Sequence, residues 1–320
     1  MPEPVLFRGA RVIDPASGTD EVADLHVDGG VIAPSPGSAA TVLDCDGLVL
    51  APGLVDLHAH LRQPGREDKE TVESGCRAAA LGGFTAVSSM ANTDPVADNA
   101  AVIHQVLELA RAAGTCDVFP VGAITRGLGG EEMAELGEMV DAGVRLFSDD
   151  GRSVPKARLL RNALTYVRAF EDVVIAEHCE DASLAEGGQM HEGLTSSSLG
   201  LAGQPREAEE VVVARDLAIA RLTGGRLHLC HLSSAGSVVD ASEAPRPPPE
   251  ARHDVPMSGF FDPLGCGEGR TPANSASFSS TAWGAWSVAT ASIVPSSSPA
   301  LSPRRSSPER SGGFVFMFVS

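Results

Sequence analysis

The fold of this chain is decided by the stretch LVDLHAH at residues 54–60. Its apolar run has the length and composition of a short buried strand. Strand residues alternate between two faces, so His58 and His60 are expected to point the same way at the strand's carboxyl end. A lone His-x-His pattern is weak evidence for a metal site. The residues around it must therefore decide its meaning.

Short apolar runs alternate with helical patterns after this stretch. The runs predict six strands, at Leu54–His58, Phe84–Ser88, Val118–Gly122, Val144–Ser148, Val173–His178 and Leu227–His231. The helical patterns cover Glu70–Leu81, Ala100–Ala113, Glu131–Ala142, Ala157–Phe170 and Glu207–Leu222. Such alternation is typical of right-handed βαβ units and a parallel sheet. It favours a TIM-type (β/α)₈ barrel over a doubly wound sheet, because polar candidate residues follow many different strands.

The two ends of the chain differ from this central part, residues 51–239. Residues 1–50 contain short apolar runs separated by turn formers, which predicts a small antiparallel β unit, one portion of a β-sandwich. Residues 240–320 are rich in Pro and Ser, and no βα alternation continues there. This tail is predicted to be disordered or to result from a frameshift. The barrel is therefore expected to be incomplete, with about six βα units.

The composition predicts a cytoplasmic protein whose partner is a small molecule. A formal net charge of −18 argues against nucleic acid or an anionic membrane surface as a partner. The sequence has neither a secretory signal pattern nor an apolar stretch of transmembrane length. Its six cysteines are scattered without a Cys-x-x-Cys pair, so reduced thiols are expected rather than a disulfide framework.

Further metal-ligand residue types follow the later strands. His178 ends the fifth strand, His231 ends the sixth, and Asp149 and Asp150 follow the fourth, just before Gly151. The carboxyl ends of barrel strands converge on one face, where active sites lie. Imidazole and carboxylate ligands suit Zn²⁺ and leave positions open for water. The sequence thus predicts a hydrolytic metal site, but the spacing does not tell Asp149 from Asp150.

Two further residues are candidates for substrate binding at the same face. Arg62 presents a planar fork of donors beside the histidine pair, which suits a carboxylate. The alternative is a solvated arginine or one paired to Glu67 or Asp68. Asn92 follows the second strand and can both donate and accept, although a turn role before Pro95 is the alternative.

Together these residues resemble the dihydroorotases of the amidohydrolase superfamily. Their opening signature is similar to APGLVDLHAHLRQPG at residues 51–65. Further matching segments are KETVESG at 69–75, ALGGFT at 80–85, FSDDG at 147–151, HCED at 178–181 and HLCHLSS at 228–234. The resemblance runs from about residue 5 to about residue 239 and is specific in combination.

The resemblance implies a barrel with a small β domain, one or two zinc ions, and a defined reaction. That reaction is the reversible hydrolysis of the cyclic amide of dihydroorotate to N-carbamoyl-L-aspartate in pyrimidine synthesis. It implies that the metal ligands are His58, His60, Asp150, His178 and His231, with Asp150 bridging if two ions bind. It also implies that His60, Arg62 and Asn92 bind the substrate.

The chain departs from the family pattern in three places. Ala91 stands where the family usually has proline. An asparagine-proline-proline segment is missing, and so is an eighth-strand aspartate that acts as ligand and general acid/base. No catalytic residue is therefore assigned, and impaired activity is expected, since positioned proton transfer contributes roughly 10²- to 10⁴-fold. The alternatives are an allantoinase- or hydantoinase-type amidase and a non-catalytic, dihydroorotase-like partner of aspartate transcarbamoylase. The macromolecular partners considered are aspartate transcarbamoylase and a second copy of the chain.

Overall fold

The computed structural model describes residues 3–34, 41–243 and 316–319. These residues fall into two compact units. The first unit contains the described residues up to Asp56, Arg77–Ala86 and Phe316–Val319. The second contains Leu57–Cys76 and the described residues from Val87 to Glu243. The prediction of an α/β protein with a small N-terminal β domain is confirmed.

The first unit is built on one six-stranded sheet. Its strands are β1 (Val5–Asp14), β2 (Thr19–Asp28), β3 (Val31–Ala33), β4 (Thr41–Asp44), β5 (Val49–Pro52) and β14 (Phe316–Val319). Strands β1, β2 and β3 pair antiparallel, as predicted. Strands β4 and β5 instead pair with β1 in parallel, so the antiparallel prediction is wrong for them. The described residues up to Pro52, together with Phe316–Val319, contribute one sheet, and the sandwich stays a prediction.

Alternating burial along β1 explains how this sheet holds together. Phe7, Ala10 and Val12 are buried and pack with Val27 of β2 and Leu50 of β5. The intervening residues of β1 face outwards or are half-buried. Burying one face of a twisted sheet in this way is the usual source of its stability.

The strands after residue 53 follow one another in space as they do in the sequence. The element bounds are β6 (Leu54–Ala59), β7 (Phe84–Ser89), β8 (Asp117–Pro120), β9 (Leu146–Phe147), β10 (Val174–His178) and β13 (Leu227–Cys230). One sheet has the order β6-β7-β8, and another has the order β13-β10-β9 with parallel pairing. A parallel bridge between Gly122 and Phe147 lies between the end of β8 and β9. Consecutive neighbours of this kind are what a βα barrel requires.

Helices lie between these strands, mostly where they were predicted. They are α1 (Val72–Leu81), α2 (Ala100–Ala113), α3 (Leu136–Asp141), α4 (Ala157–Val167) and α7 (Glu207–Thr223), of which α3 has only six residues. Asn99 caps α2 by accepting from two backbone N–H groups. Gly114 ends the helix in the left-handed conformation, which glycine adopts easily because it has no Cβ atom. The predicted helix from Glu131 is wrong over its first turn, because Ala134 N donates to Ile124 O and Met133 bridges Thr125.

The region between β10 and α7 contains short elements that the periodicity did not predict. They are α5 (Ala182–Ala185), β11 (Met190–His191), α6 (Leu194–Leu199) and β12 (Gly203–Gln204), with β11 and β12 paired in parallel. Elements of two to six residues are too short to show a period. The last helix, α8 (Ala235–Glu243), continues past the predicted start of the tail at residue 240. The tail prediction otherwise lies mainly outside the described residues.

The core of the second unit is made by residues from both helices and strands. Fully buried side chains such as Ile103 of α2, Phe147 of β9, Leu160 of α4 and Ile175 of β10 belong to one cluster. Five cysteines are free and buried, as expected of reduced thiols, and Cys266 lies outside the described residues. In the described part of the chain, no helix combines the length and apolarity needed to cross a membrane.

Candidate metal centre

The four predicted histidine ligands lie around the carboxylate of Asp150, the fifth predicted ligand. Its Oδ1 is 3.2 Å from Nε2 of His58, 3.1 Å from Nε2 of His231 and 3.3 Å from Nδ1 of His178. Its Oδ2 is 3.4 Å from Nε2 of His60. They form two groups of three that share Asp150, and the ligand atoms in each group lie within 4.8 Å of one another.

The ends of four strands place these residues. His58 lies in β6 and His60 just after it, so both project from the same side of one strand end. His178 is the last residue of β10, and Asp150 lies three residues beyond β9. His231 follows β13 with a φ of 59°, a left-handed conformation that is unusual for histidine. Strain of this kind in a residue of a candidate site is a feature of functional centres.

Neighbouring charges and burial shift the pKa values of Asp150, His178 and His58. Burial alone would raise the pKa of Asp150, but hydrogen bonds from His178 and His231 and the charge of His58 outweigh it, so the pKa falls well below its usual range. The hydrogen bond to Asp150 raises the pKa of His178, although burial opposes it. Burial lowers the pKa of His58, with Asp150 partly opposing. An ionised carboxylate among imidazoles is the donor set that a divalent metal ion such as zinc takes up.

The structure separates Asp149 from Asp150, which the spacing could not. Asp149 is buried and turned away from the histidines. Its Oδ1 accepts from the backbone N–H groups of Ile124 and Thr125, at 2.8 and 3.0 Å, and its Oδ2 accepts from the hydroxyl of Thr125. Thr125 Oγ1 in turn accepts from Gly130 N at 3.0 Å. Asp149 thus anchors the loop after β8, while Asp150 faces the histidines.

This anchor predicts a measurable loss of stability in Thr125→Val. Valine keeps the shape of threonine but removes the hydroxyl, which takes away the hydrogen-bond partner of Asp149 Oδ2 and that of Gly130 N in a buried setting. The expected cost is about 1–3 kcal/mol, measured by urea unfolding. Thr165→Val on the exposed side of α4 is the control and should change stability by less than about 0.5 kcal/mol. Equal effects of the two substitutions would contradict this role of Thr125.

Asn92 contacts a predicted ligand directly. Its Oδ1, which can only accept, lies 3.0 Å from Nδ1 of His60, so Nδ1 donates this hydrogen bond and Nε2 faces Asp150. Such an outer partner fixes the tautomer and orientation of a ligating histidine. The turn role considered for Asn92 is therefore only part of its function, and this contact was not predicted from the sequence.

Arg62 is half-buried, two residues beyond His60, with a left-handed φ of 61°. Glu67 accepts from Gly65 N at 2.9 Å, and Asp68 lies 3.8 Å from Nε of Arg66. The alternative of an ion pair between Arg62 and either acid is therefore not what the structure shows. Within the described part of the chain, its guanidinium has no ion-pair partner.

The loops that carry Arg62 and Asn92 approach each other closely at Gly65. Asp94 N donates to Pro64 O at 2.9 Å. Gly65 has a φ of +95°, and a Cβ atom built on it would lie 2.0 Å from Asp94 O. Only glycine fits both the conformation and the space. Gly65 thus allows the close approach of the two loops.

A cavity of about 350 Å³ opens beside His178 and His231, a size suited to a small molecule. Its polar lining includes His178, Glu180, Gln204, Arg206, Glu209 and His231. Gln204 Nε2 donates to Glu180 Oε2 at 2.8 Å, and Glu209 accepts from Ser233 N and Ser234 N. No motif indicated Gln204 or Glu209, because they come from elements that meet only in the fold.

Comparison with known proteins agrees with this geometry. The model of a family described as "Dihydro-orotase-like" matches residues 47–237. The chain belongs to this family. It is 50% identical over 239 residues to a dihydroorotase of Solibacter usitatus, and 52% identical over 239 residues to one of Streptomyces coelicolor. These matches cover 73% of this chain but only 55% and 54% of the two relatives. The chain thus spans about half the length of the curated relatives it matches.

Solved structures of a hydantoinase and a dihydropyrimidinase align with this chain. An L-hydantoinase (dihydropyrimidinase) from Arthrobacter aurescens aligns with a TM-score of 0.59 at 22% identity. That alignment covers 76% of this chain and 56% of the hydantoinase. A dihydropyrimidinase from Brevibacillus agri aligns with a TM-score of 0.55 at 21% identity, over 75% of this chain and 54% of that one. At such identities the likeness supports the fold of this family member and not its substrate.

Proposed function

We propose that this chain carries the metal and substrate residues of a dihydroorotase, which hydrolyses the cyclic amide of dihydroorotate to N-carbamoyl-L-aspartate. The observation that carries the proposal is the cluster of His58, His60, His178 and His231 around Asp150. It accompanies 50% or more identity to dihydroorotases of two bacteria. The substrate is then a small molecule, and the chain acts in pyrimidine synthesis in the cytoplasm.

The ligand set fits one or two zinc ions, with Asp150 shared if two bind. Each group of three combines imidazole nitrogens with a carboxylate oxygen, which are ligands that zinc prefers. A bound metal would polarise the amide carbonyl and acidify a water molecule. The protein itself contributes a charged ligand, because the lowered pKa of Asp150 keeps its carboxylate ionised.

Arg62 and Asn92 are proposed to bind the carboxylate of the substrate. The guanidinium of Arg62 has no acidic partner among the described residues and lies next to the histidine pair in the chain. The amide oxygen of Asn92 is engaged by His60, which leaves its amide N–H groups to donate to an anion. A carboxylated ring distinguishes dihydroorotate from hydantoin, so Arg62 favours the first substrate over the second.

We propose an incomplete barrel of about six βα units as the scaffold of this site. The order β6-β7-β8, the bridge to β9 and the order β9-β10-β13 support it. The general acid/base aspartate of the family is not part of the motifs in this chain. Turnover is therefore expected to be roughly 10²- to 10⁴-fold below that of a full-length relative such as the Streptomyces coelicolor protein.

The test measures zinc content and hydrolysis by the purified chain. We expect bound zinc and slow hydrolysis of dihydroorotate, and slower hydrolysis of hydantoin and allantoin. In Arg62→Met, the KM for dihydroorotate should rise by about tenfold or more while zinc content is unchanged, because one charged hydrogen-bonding partner is lost. Absence of zinc, or preference for an uncharged ring, would refute the proposal. Zinc without any hydrolysis would favour the non-catalytic alternative, a partner of aspartate transcarbamoylase.

A further inference from the structure

Glu177 is a buried acid that lies directly before a proposed metal ligand, His178, at the end of β10. Its side chain is 1% exposed. Its Oε2 accepts from the backbone N–H of Val154 at 3.1 Å, and its Oε1 has no hydrogen-bond partner among the described residues. Buried acids of this kind are costly, because the carboxyl group loses its hydration. The contact with Val154 is therefore worth explaining.

The loop that begins at Asp150 is attached to the rest of the second unit at successive residues. Ser153 Oγ donates to Glu180 O at 2.8 Å, just beyond β10. Pro155 O accepts from Arg215 of α7 at 3.3 Å. Between these two attachments, the N–H of Val154 is buried and reaches only the Glu177 carboxylate in the described residues. Glu177 thus provides the side-chain attachment at the centre of the loop.

The surroundings hold Glu177 in place. Asp216 of α7 is fully buried and accepts from Nε of Arg215 at 2.7 Å. Cys179 Sγ donates to Glu177 O and lies 3.9 Å from Oδ2 of Asp216. Burial, and then the nearby charge of Asp216, raise the pKa of Glu177 well above its ordinary value. An apolar residue at this position would avoid the cost of burial, but it would leave the Val154 N–H unsatisfied.

We propose that Glu177 is a positioning residue of the metal centre, which sets the loop carrying Asp150 against the strand end carrying His178. This inference rests on the proposed metal function. The hydrogen bond joins Val154, four residues after Asp150, to Glu177, the residue before His178. The two ligands lie close together, with 3.3 Å between Nδ1 of His178 and Oδ1 of Asp150. Outer residues that orient the ligands of a metal act in this way on metal affinity.

The test compares Glu177→Leu with Glu177→Gln in the full chain. Glutamine keeps an oxygen that accepts from Val154 N, whereas leucine has a similar size and no acceptor. Zinc affinity is measured by competition with a chromophoric chelator. We expect about 10- to 100-fold weaker zinc binding by the leucine variant and a loss below about tenfold for the glutamine variant. Equal affinity of the leucine variant and the unchanged chain would overturn the inference.

A control separates positioning from general loss of stability. Val106→Ala removes buried methyl groups from α2, far along the chain from this loop, and should lower the melting temperature without weakening zinc binding. Hydrogen exchange of the Val154 amide, measured without metal, should be faster in Glu177→Leu and unchanged in Val106→Ala. Slow exchange in both variants would also overturn the inference. If the unchanged chain binds no zinc, the proposed function fails, while exchange at Val154 still decides whether Glu177 holds the loop.

Discussion

Replacing Asp150 by asparagine should lower the zinc affinity of this chain by at least about 100-fold. Outer residues of a metal site typically account for 10- to 100-fold, and Asp150 is a proposed direct ligand. Its two oxygens lie within 3.4 Å of four imidazoles, and it is the one member common to both groups of potential ligands. Asparagine has nearly the same shape, but it removes the negative charge that a divalent cation requires.

The control for this substitution is Asp141→Asn, which removes an exposed carboxylate at the end of α3. Both variants lose one formal charge, so a general electrostatic effect would weaken zinc binding in both. Titration with zinc against a competing chelator measures the difference, and thermal unfolding shows whether each variant is folded. A folded Asp150→Asn variant that binds zinc as tightly as Asp141→Asn would rule out Asp150 as a ligand.

Gly65→Ala should cost about 3–5 kcal/mol of folding free energy. A φ of +95° is unfavourable for alanine, and its Cβ would lie 2.0 Å from Asp94 O, where a backbone atom cannot yield easily. The same change should separate the loops that carry Arg62 and Asn92, because the hydrogen bond from Asp94 N to Pro64 O joins these loops beside Gly65. Urea unfolding measures the stability.

Gly143→Ala provides the matched control for the effect of space. Gly143 has a φ of +105°, similar to that of Gly65, but a Cβ built on it meets nothing within 4 Å. Only the backbone strain remains, which is worth about 1–2 kcal/mol. The difference between the two variants isolates the contact with Asp94. If both lose the same free energy, the close approach of the two loops does not require glycine at residue 65.

The sequence predicted the long, strongly patterned elements well. Helix α2 has the predicted bounds, Ala100–Ala113, because local capping chemistry at Asn99 and Gly114 determines both ends. Patterns without a local signal were less reliable. The chain from Glu131 to Glu135 has helix-forming residues, yet Ala134 N bonds to Ile124 O of a distant loop. A tertiary hydrogen bond outweighed propensity there, since propensities differ by only fractions of a kcal/mol per residue.

The sequence by itself determined which residue types stand at the ends of the strands, and hence that imidazoles and a carboxylate belong to one site. Strand periodicity and the position of each strand end are local properties of the chain. The family resemblance already implied Asp150 rather than Asp149 as the ligand. Only the tertiary structure showed that Asp149 bonds to the loop at Ile124, and only it joined Asn92 to His60 and Glu177 to Val154. Those outcomes depend on contacts between residues more than twenty positions apart, whose geometry no spacing in the sequence records.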